Sequence, residues 1–441
     1  MRAKNRKHRI TAALTVAALL FATVILAVLG VQQQPRITGS TASPERLIKL
    51  PNQRLVLQLN QATEPVSAEA VKITPNVPHS VRSDARTVTI TFERPLLADT
   101  VYRFQVDTVS QATGARGSTS YEVKTPTMRA EILTQHGGQI ANPGDEATIH
   151  DDKITSFPVR GGSPTVWLAE QQLHEFASAG EWFAAVQQLN EQDSRLLVGK
   201  AGGEPKTVLM PNIGGLRQPM FSDDASQLGI KFAEDYDFDA LYLFTTNNIS
   251  NGSGVPVRYP DGSSVPVADW FFEPGTANVR ILTPAGETLL APLGGTAAAD
   301  ERPWPQRDDG TPRDIGAPRD SVKLVSGQSL SISDRSLLLT AVTSTDSGAA
   351  AGAEPGTDSG AAAGAEPSAD FGTGDTQLFQ PAAESTTVDG FCLAPNEQYI
   401  AVIITASTGE KQVAIVEIGT GLVVQNMPGS WISWCLNTVS G

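Results

Sequence analysis

Short runs of β-branched and aromatic residues, separated by turn residues, recur along most of this chain and constrain its fold more than any other feature. Five such runs lie between residues 54 and 125: RLVLQL, AVKIT, RTVTITF, TVYRFQV and SYEVKT. Apolar and polar residues alternate in them, as expected when one face of a strand is buried. Strands this short and this regularly spaced favour a β-sandwich of fewer than about 100 residues.

The order of these pieces resembles that of the bacterial Ig-like domains found in exported envelope proteins. The stretches that carry the resemblance are LVLQLNQATEPVSAEAVKITPNV, TVTITFERPLLADTVYRFQV and the closing YEVKTPT. Together they cover about 80 residues, and we assign 49–127 to an Ig-like β-sandwich preceded by a polar tether over 32–48. The resemblance implies a spacer or adhesive module rather than a catalyst.

Two other patterns repeat from residue 130 to the end. The stretches 194–210, 278–293 and 413–427 each consist of a strand, a Gly-containing turn and a second strand, which is typical of an antiparallel hairpin. The stretches FSDDASQLGIKF (221–232) and LAPNEQYIAVII (393–404) place a polar turn between two strands.

The second pattern resembles the strand–turn–strand phrase of TolB-like and WD40-like propeller blades. The glycine of that phrase is replaced by Ala225 in one copy and by Glu397 in the other. A blade is four strands in about 40–45 residues, so the region 130–441 has room for roughly five to seven blades. The resemblance therefore implies an all-β chain with a β-propeller after the sandwich; the rival interpretation is a set of further β-sandwiches.

A low-complexity insertion interrupts the predicted propeller over 343–376. It contains TDSGAAAGAEPG (345–356) followed by TDSGAAAGAEPS (357–368), a direct duplication without aromatic residues. Such a composition buries too little apolar surface to order itself. We expect it to extend from a loop between strands.

The chain has two cysteines, Cys392 and Cys435, and each is followed by leucine. Their separation in sequence, 43 residues, matches one blade. If both lie on the first strands of neighbouring blades, their Cα atoms could come within the roughly 4.4–6.8 Å that a disulfide requires. The bond would pin the last strand to the preceding blade, or close the ring if residues 430–436 complete the first blade. The alternative is a pair of buried, reduced thiols.

The N-terminus predicts a single membrane-spanning helix. Residues 1–9 include five basic residues and no acid, and Ile10–Val31 runs 22 residues without a charge. A helix of that length spans the hydrocarbon core of about 30 Å, whereas a cleavable signal peptide, the alternative, has a shorter apolar core. The basic residues place 1–9 in the cytoplasm and the rest of the chain outside the cell membrane.

The composition argues against a nucleic-acid partner. The chain has 33 basic and 47 acidic residues and a net charge of −14, whereas binding to phosphate backbones needs clustered lysine and arginine. We therefore expect the partners to be the membrane, through Ile10–Val31, and an envelope protein or glycan.

Motifs of common enzymes are missing from the sequence. GxSxG, HExxH, CxxC and GxxxxGK[ST] do not occur, and His174-Glu175 lacks a second histidine one helical turn later. We therefore predict no catalytic residues and no cofactor other than possible calcium. Asp235, Asp237 and Asp239 are spaced like the first half of a calcium loop; the alternative is an acidic hairpin tip that discourages edge-to-edge pairing.

Two tryptophans are candidates for a ligand-binding surface. Trp270 stands in the aromatic run WFF, and Trp304 stands between two prolines. Exposed aromatic rings beside polar groups suit sugars or peptides; the alternative is that both pack inside blades.

The features together predict a membrane-anchored extracytoplasmic protein that binds or scaffolds other envelope components. One alternative is an extracytoplasmic hydrolase or lyase whose residues come singly from several blades, which linear motifs would miss. Another is the sensory half of a membrane complex, which would need a membrane partner because nine residues cannot carry a signalling domain.

Overall fold

The computed structural model describes residues 15–21, 23, 34–136, 151–190, 192–211, 214–235, 238–249, 254–307, 310–333, 335–340 and 376–436. Two compact units make up the chain, Met1–Pro126 and Thr127–Gly441. The duplicated stretch 345–368 and most of the predicted membrane span lie outside the described residues. Residues 15–21 and 23 of that span are helical, and no helix among the described residues is both long enough and apolar enough to cross a membrane.

From residue 34 onward the first unit contains seven described strands, one short α-helix and a 3-10 helix, Ala68–Ala70. The strands are β1 (Ile37–Thr41), β2 (Gln53–Leu59), β3 (Val71–Thr74), β4 (His79–Asp84), β5 (Thr87–Phe92), β6 (Val101–Val109) and β7 (Arg116–Lys124); the helix is α1 (Pro44–Lys49). One antiparallel sheet has the order β1-β2-β5-β4 and the other has the order β3-β6-β7.

Alternating side chains of these two sheets form one apolar core. In β5 every second residue is buried, ending with Phe92, and β6 repeats the alternation around Phe104. The rings of Phe92 and Phe104 lie 6.1 Å apart, which brings the two sheets face to face. The predicted burial of every second residue is therefore present, and it gives the core expected between two stacked sheets.

The tether expected over 32–48 is shorter than predicted. Residues Ile37–Thr41 form β1, which pairs with β2, and α1 buries Leu47 and Ile48 against the same unit. The sequence pattern missed β1 and β4, and both are edge strands of the four-stranded sheet. An edge strand needs few apolar residues, and β4 has no fully buried side chain.

The second unit contains six four-stranded antiparallel sheets among its described residues, which we call blades 1–6. The strands, in chain order, are β8 (Arg129–Thr134), β9 (Asp152–Pro158), β10 (Thr165–Glu170), β11 (Leu173–Ala179), β12 (Trp182–Gln188), β13 (Ser194–Lys200), β14 (Lys206–Val208), β15 (Leu216–Phe221), β16 (Gln227–Asp235), β17 (Phe238–Thr245), β18 (Val255–Pro256), β19 (Asp269–Phe272), β20 (Val279–Leu282), β21 (Thr288–Ala291), β22 (Ala298–Ala299), β23 (Ser321–Lys323), β24 (Ser329–Ser333), β25 (Ser336–Thr340), β26 (Thr376–Phe379), β27 (Thr387–Leu393), β28 (Tyr399–Thr405), β29 (Lys411–Glu417), β30 (Val423–Pro428) and β31 (Trp431–Ile432).

Blades 2 to 6 are each built from four consecutive strands, beginning at β11, β15, β19, β23 and β27. Blade 1 is different, because its order is β10-β9-β8-β31. The last described strand therefore joins the first three described strands of the unit, and Trp431 and Ile432 pair with Leu133 and Ile132. Six four-stranded sheets closed in this way are a six-bladed β-propeller.

The hairpins predicted in this region are present, but they are not equivalent to one another. The stretches 194–210 and 413–427 form the third and fourth strands of blades 2 and 6, whereas 278–293 forms the second and third strands of blade 4. Their turns contain Gly202, Gly286 and Gly421 at positive φ.

The turn between the first and second strands is the feature that repeats from blade to blade. Each of these turns has a residue at positive φ: Gly180, Ala225, Gly275, Gly327 and Glu397. Ala225 and Glu397, which replace the glycine of the propeller phrase, have φ of 58° and 54°, a left-handed conformation that is uncommon for residues other than glycine. The backbone therefore keeps the turn even where the sequence has lost its glycine.

The core of the propeller lies between neighbouring blades. One apolar cluster joins the inner faces of blades 2 and 3, and another joins blades 3 and 4 around Trp270. Gly229 of β16 lies directly against Trp270, because a Cβ atom at position 229 would be 2.2 Å from the indole ring. A single sheet could not bury both of its faces, so the blades stabilise one another.

Candidate functional site

The inner strands of the propeller surround a central cavity of about 310 Å³. Its polar lining includes Glu175 of β11, Arg217 and Gln218 of β15, Lys231 of β16 and Asp269 of β19, and Trp431 of β31 lies at its edge. The first strands of blades 2, 3 and 4 and β31 of blade 1 thus line the cavity, together with Lys231 of the second strand of blade 3. A cavity of this size is at the lower end of the range for small-molecule sites.

A β-bulge on β15 directs Gln218 between two neighbouring strands. The pairing of β15 with β16 shifts register between Arg217 and Met220, and Gln218 has φ of 52°. The backbone N–H of Gln218 donates to Glu175 Oε2, and its side-chain Nε2 donates to Asp269 Oδ1. Bulges often re-aim a side chain beside a functional site, and here the bulge makes Gln218 a bridge between the carboxyl groups of blades 2 and 4.

Asp269 is 9% exposed and accepts hydrogen bonds at both oxygens. Oδ1 accepts from the backbone N–H of Trp270 at 2.8 Å and from Gln218, while Oδ2 accepts from the backbone N–H of Ile315 at 2.7 Å. Burial raises the pKa of Asp269, against the lowering effect of these donors and of the charge on Lys231. Asp269 therefore acts as a buried anchor for surrounding backbone.

Residues 313–319, which we call the crossing segment, run through the centre of the ring between blades 4 and 5. Ile315 bonds to Asp269 through its N–H, and its carbonyl accepts from Gln218 Nε2 at 3.1 Å. Arg319 pairs with Phe391 of β27 through two backbone hydrogen bonds of 2.8 and 3.0 Å. The crossing segment therefore connects the inner strands of blades 3, 4 and 6 and forms one wall of the cavity.

Two arginines of the crossing segment are held in surroundings that disfavour their charge. Burial and, to a smaller extent, the neighbouring positive charge of Arg313 lower the pKa of Arg319 to about 9, while the charge of Glu397 opposes this shift. Burial is also the main cause that lowers the pKa of Arg313, while the charge of Asp269 opposes it. With a pKa of about 9, the Arg319 guanidinium remains protonated at pH 7.

The charged side chains that line the cavity differ in whether they already have hydrogen-bond or ion-pair partners. Lys231 donates to the carbonyl of Ala268 at 2.9 Å and lies 3.5 Å from Asp239. The Arg217 side chain, by contrast, is exposed and forms no ion pair or hydrogen bond within the described parts of the chain. The Glu175 carboxylate accepts a single hydrogen bond there, from the backbone N–H of Gln218. A guanidinium and a carboxylate oxygen thus face the same cavity without neutralising each other.

The two cysteines form a disulfide, with their Cα atoms 4.9 Å apart. Cys392 lies on β27, the inner strand of blade 6, and Cys435 lies in the short 3-10 helix directly after β31. Because β31 belongs to blade 1, the bond closes the ring, which is the second of the two arrangements considered from the sequence. Cys435 is not itself on a strand, so the two positions are not fully equivalent.

Neither of the predicted surface tryptophans lies on a surface. Trp270 is 0% exposed and Trp304 is 5% exposed. The Trp304 ring lies 5.1 Å from that of Phe271, and its Nε1 donates to the carbonyl of Arg313 at 3.1 Å. Both side chains pack in the core between blades 3 and 4 because each offers a large apolar face there.

The predicted calcium loop falls mostly outside the described residues. Asp237 and the side chain of Asp235 are not described, and the side chain of Asp239 lies beside Lys231. No group of three or more potential metal ligands occurs among the residues that are described. The calcium site stays a prediction.

Glu175, Arg217 and Gln218 were not singled out by the sequence motifs. A usable signal exists, because Glu175 and Asp269 each stand directly before an aromatic residue in the first strand of a blade. Recognising that signal requires the positions of the inner strands, which the uneven lengths of the connecting loops obscure.

Comparison with solved structures finds similar folds at very low sequence identity. TolB from Acinetobacter baumannii is 9% identical with a TM-score of 0.38, over 82% of this chain and 81% of that one. An auxiliary nutrient binding protein from Bacteroides ovatus is 11% identical with a TM-score of 0.28, over 92% and 97%. The β-propeller domain of the Trilobed protease from Pyrococcus furiosus is 7% identical with a TM-score of 0.29, over 90% and 96%.

These TM-scores are all below 0.5, so the assignment of a propeller rests on the strand order of this chain. The sequence matches no family model and no curated protein.

Proposed function

We propose that this chain is a membrane-anchored, extracytoplasmic binding protein of the bacterial cell envelope, and that the central cavity of its propeller holds the ligand. The cavity is the observation that carries the proposal. Side chains of both charges converge on it from different blades, and convergent polar groups in a concave site are the usual mark of ligand binding.

The state of Asp269 favours binding over catalysis. A general acid or base must exchange a proton with a substrate within hydrogen-bonding reach. Three N–H groups of Trp270, Ile315 and Gln218 already occupy the Asp269 carboxyl oxygens. Its neighbourhood therefore supports a structural role, and the hydrolase alternative gains no support from it.

The first unit is proposed to be an Ig-like sandwich that spaces the propeller from the membrane. Its two sheets, β1-β2-β5-β4 and β3-β6-β7, follow the order of the constant-type immunoglobulin sandwich, in which the first, second, fifth and fourth strands form one sheet. The observed strand order supports the resemblance found in the sequence.

The proposed location is supported by two features of the chain. Basic residues precede the apolar stretch Ile10–Val31, as in proteins whose N-terminus stays in the cytoplasm. The disulfide between Cys392 and Cys435 is of a kind that persists in oxidising, extracytoplasmic compartments.

Thermal unfolding of the full chain in detergent tests the binding function. The probes are a dipeptide, a disaccharide and a nucleotide, each at millimolar concentration. A ligand that binds only the folded state raises Tm. We expect at least one probe to raise the Tm of the propeller.

A variant that fills the cavity provides the decisive comparison. Ala268 is exposed and lines the cavity, so Ala268→Trp should abolish the shift. Ala299→Trp, on the exposed outer strand β22 of the same blade, is the matched control and should keep it. A shift that persists in Ala268→Trp would place the ligand elsewhere and refute the proposal.

A further inference from the structure

The charges in the cavity also indicate what kind of molecule it binds. Glu175 lies on β11 and Arg217 on β15, and both line the cavity. Among the described residues Arg217 has no ion-pair partner, and the one hydrogen bond of Glu175 occupies its Oε2 atom. Two opposite charges that share a cavity without pairing are complementary to a ligand that carries both charges itself.

We propose that the cavity binds a small zwitterion of the amino-acid or short-peptide class, with its carboxylate at Arg217 and its ammonium group at Glu175. A guanidinium binds a carboxylate through two parallel N–H donors. The free Oε1 of Glu175 accepts from the ammonium group. This inference rests on the proposed function of the cavity.

The remaining lining suits the uncharged body of such a ligand. Phe176, Pro219 and Ile315 line the cavity, and so do Trp431 and Leu436. The lining therefore offers apolar contact for an uncharged side chain of the ligand.

The other charged groups at the cavity are less available to a ligand. Asp314 forms an ion pair with Arg307 at 2.8 Å. Lys231 contacts the Ala268 carbonyl and Asp239. The carboxyl oxygens of Asp269 already accept three hydrogen bonds. The pair Glu175 and Arg217 therefore sets the specificity, and the size of the cavity limits the ligand to a few residues.

Isothermal titration calorimetry on the full chain in detergent tests this assignment with alanyl-leucine as the probe. Two capped forms are the comparison: N-acetyl-alanyl-leucine lacks the ammonium group and alanyl-leucinamide lacks the carboxylate. We expect each cap to weaken binding about 10- to 100-fold, because a hydrogen-bonded charge loses its partner.

Two variants test which side chain binds each charged group of the peptide. Glu175→Gln keeps an acceptor for the Gln218 N–H, and it should bind the acetylated and free peptides equally. Arg217→Gln should in the same way bind the amide and the free peptide equally. Glu204→Gln and Lys206→Gln, exposed on an outer hairpin of blade 2, are the controls and should bind like the unaltered chain.

Several outcomes would overturn the proposal. Equal affinity for the free and capped peptides would do so, and so would no binding of alanyl-leucine to the folded chain. If another probe raises Tm in a way that Ala268→Trp abolishes, the zwitterion assignment fails while the binding function stands. If alanyl-leucine binds equally well to Ala268→Trp, the proposed function fails as well.

Discussion

The junction between blades 6 and 1 differs in kind from the junction between blades 3 and 4. Blades 3 and 4 follow each other in the chain and meet through an apolar core, in which Gly229 lies against the Trp270 ring. Blades 6 and 1 bring together the two ends of the propeller, and here covalent and polar links are added. The disulfide Cys392–Cys435 is one, and the ion pair between Arg160 and Glu417 is another.

Buried hydroxyl groups also bind the C-terminal residues after β31 to the first strands of the propeller. Glu131 of β8 is 3% exposed and accepts from Ser433, directly after β31, at 2.9 Å. Ser156 of β9 and Ser178 of β11 donate to the same carboxyl group at 3.1 and 3.4 Å. Polar links also join blades 3 and 4, where Gln218 donates to Asp269. What the junction of blades 6 and 1 adds is a covalent bond between distant parts of the chain, whose closure into a ring costs conformational entropy.

Removal of the disulfide should have the largest effect. The bond closes a loop of 43 residues, for which loop-closure entropy gives about 3–4 kcal/mol. We expect the variant carrying Cys392→Ser and Cys435→Ser to lose about that much unfolding free energy in urea. All six tryptophans of the chain lie after residue 127, so their fluorescence reports the propeller.

The control for this prediction is reduction with dithiothreitol. Reductant should lower the stability of the unaltered chain to that of the double variant and leave the double variant unchanged. An unaltered chain that is equally stable with and without reductant would show that polar links and packing alone close the ring.

The junction between the consecutive blades 3 and 4 should be sensitive to a single added methyl group. Gly229→Ala would place Cβ 2.2 Å from the fully buried Trp270 ring, and overpacking of this kind costs about 1–3 kcal/mol. Gly419→Ala, where nothing lies within 4 Å of the added atom, should change the unfolding free energy by less than about 0.5 kcal/mol. Equal stability of the two variants would mean that blades 3 and 4 can move apart at little cost.

This comparison also shows what the sequence could predict about the fold. The short alternating runs and the spacing of the two cysteines predicted strands, blades and the disulfide, because these depend on local periodicity. The number of blades was left between five and seven because the connections are uneven. The first-to-second-strand turns come at residues 180, 225, 275, 327 and 397, and two of them lack the glycine that marks the motif.

The candidate site was less predictable for a physical reason. Glu175, Gln218 and Asp269 come from three consecutive blades, and only the packing of these blades around a common centre brings them to one cavity. The bulge that directs Gln218 depends on a register shift, which no local pattern encodes. Trp270 and Trp304 were predicted at a surface because an aromatic run has the same composition whether it is buried or exposed.

The hydroxyl groups around Glu131 should contribute less than the disulfide. Ser433→Ala removes the shortest of the three hydrogen bonds to that carboxyl group, and we expect a loss of about 1–2 kcal/mol in unfolding free energy. Ser178→Ala removes the longest, at 3.4 Å, and should cost less. The same urea titration measures both variants, and an equal or reversed order would show that the hydroxyl groups do not bind C-terminal residues to blade 1.

The smallest expected effect is the pH dependence contributed by Asp269, the buried carboxyl group near the consecutive junction. Burial raises its pKa above the ordinary value of 3.8, so the folded chain binds the proton more tightly than the unfolded chain. The stabilisation that protonation of Asp269 contributes is therefore present in full below pH 3.8. It decreases as the pH rises through the pKa that Asp269 has in the folded chain.

Comparison with Asp269→Asn, which does not titrate, isolates this contribution. The unfolding free energy of the unaltered chain minus that of the variant should fall as the pH rises above 3.8 and then level off. A difference that rises with pH would mean that the N–H donors of Gln218, Trp270 and Ile315 outweigh burial and lower the pKa. Asp269 would then be a stabilising carboxylate that helps to hold the crossing segment, and the consecutive junction would depend on charge as the junction of blades 6 and 1 does.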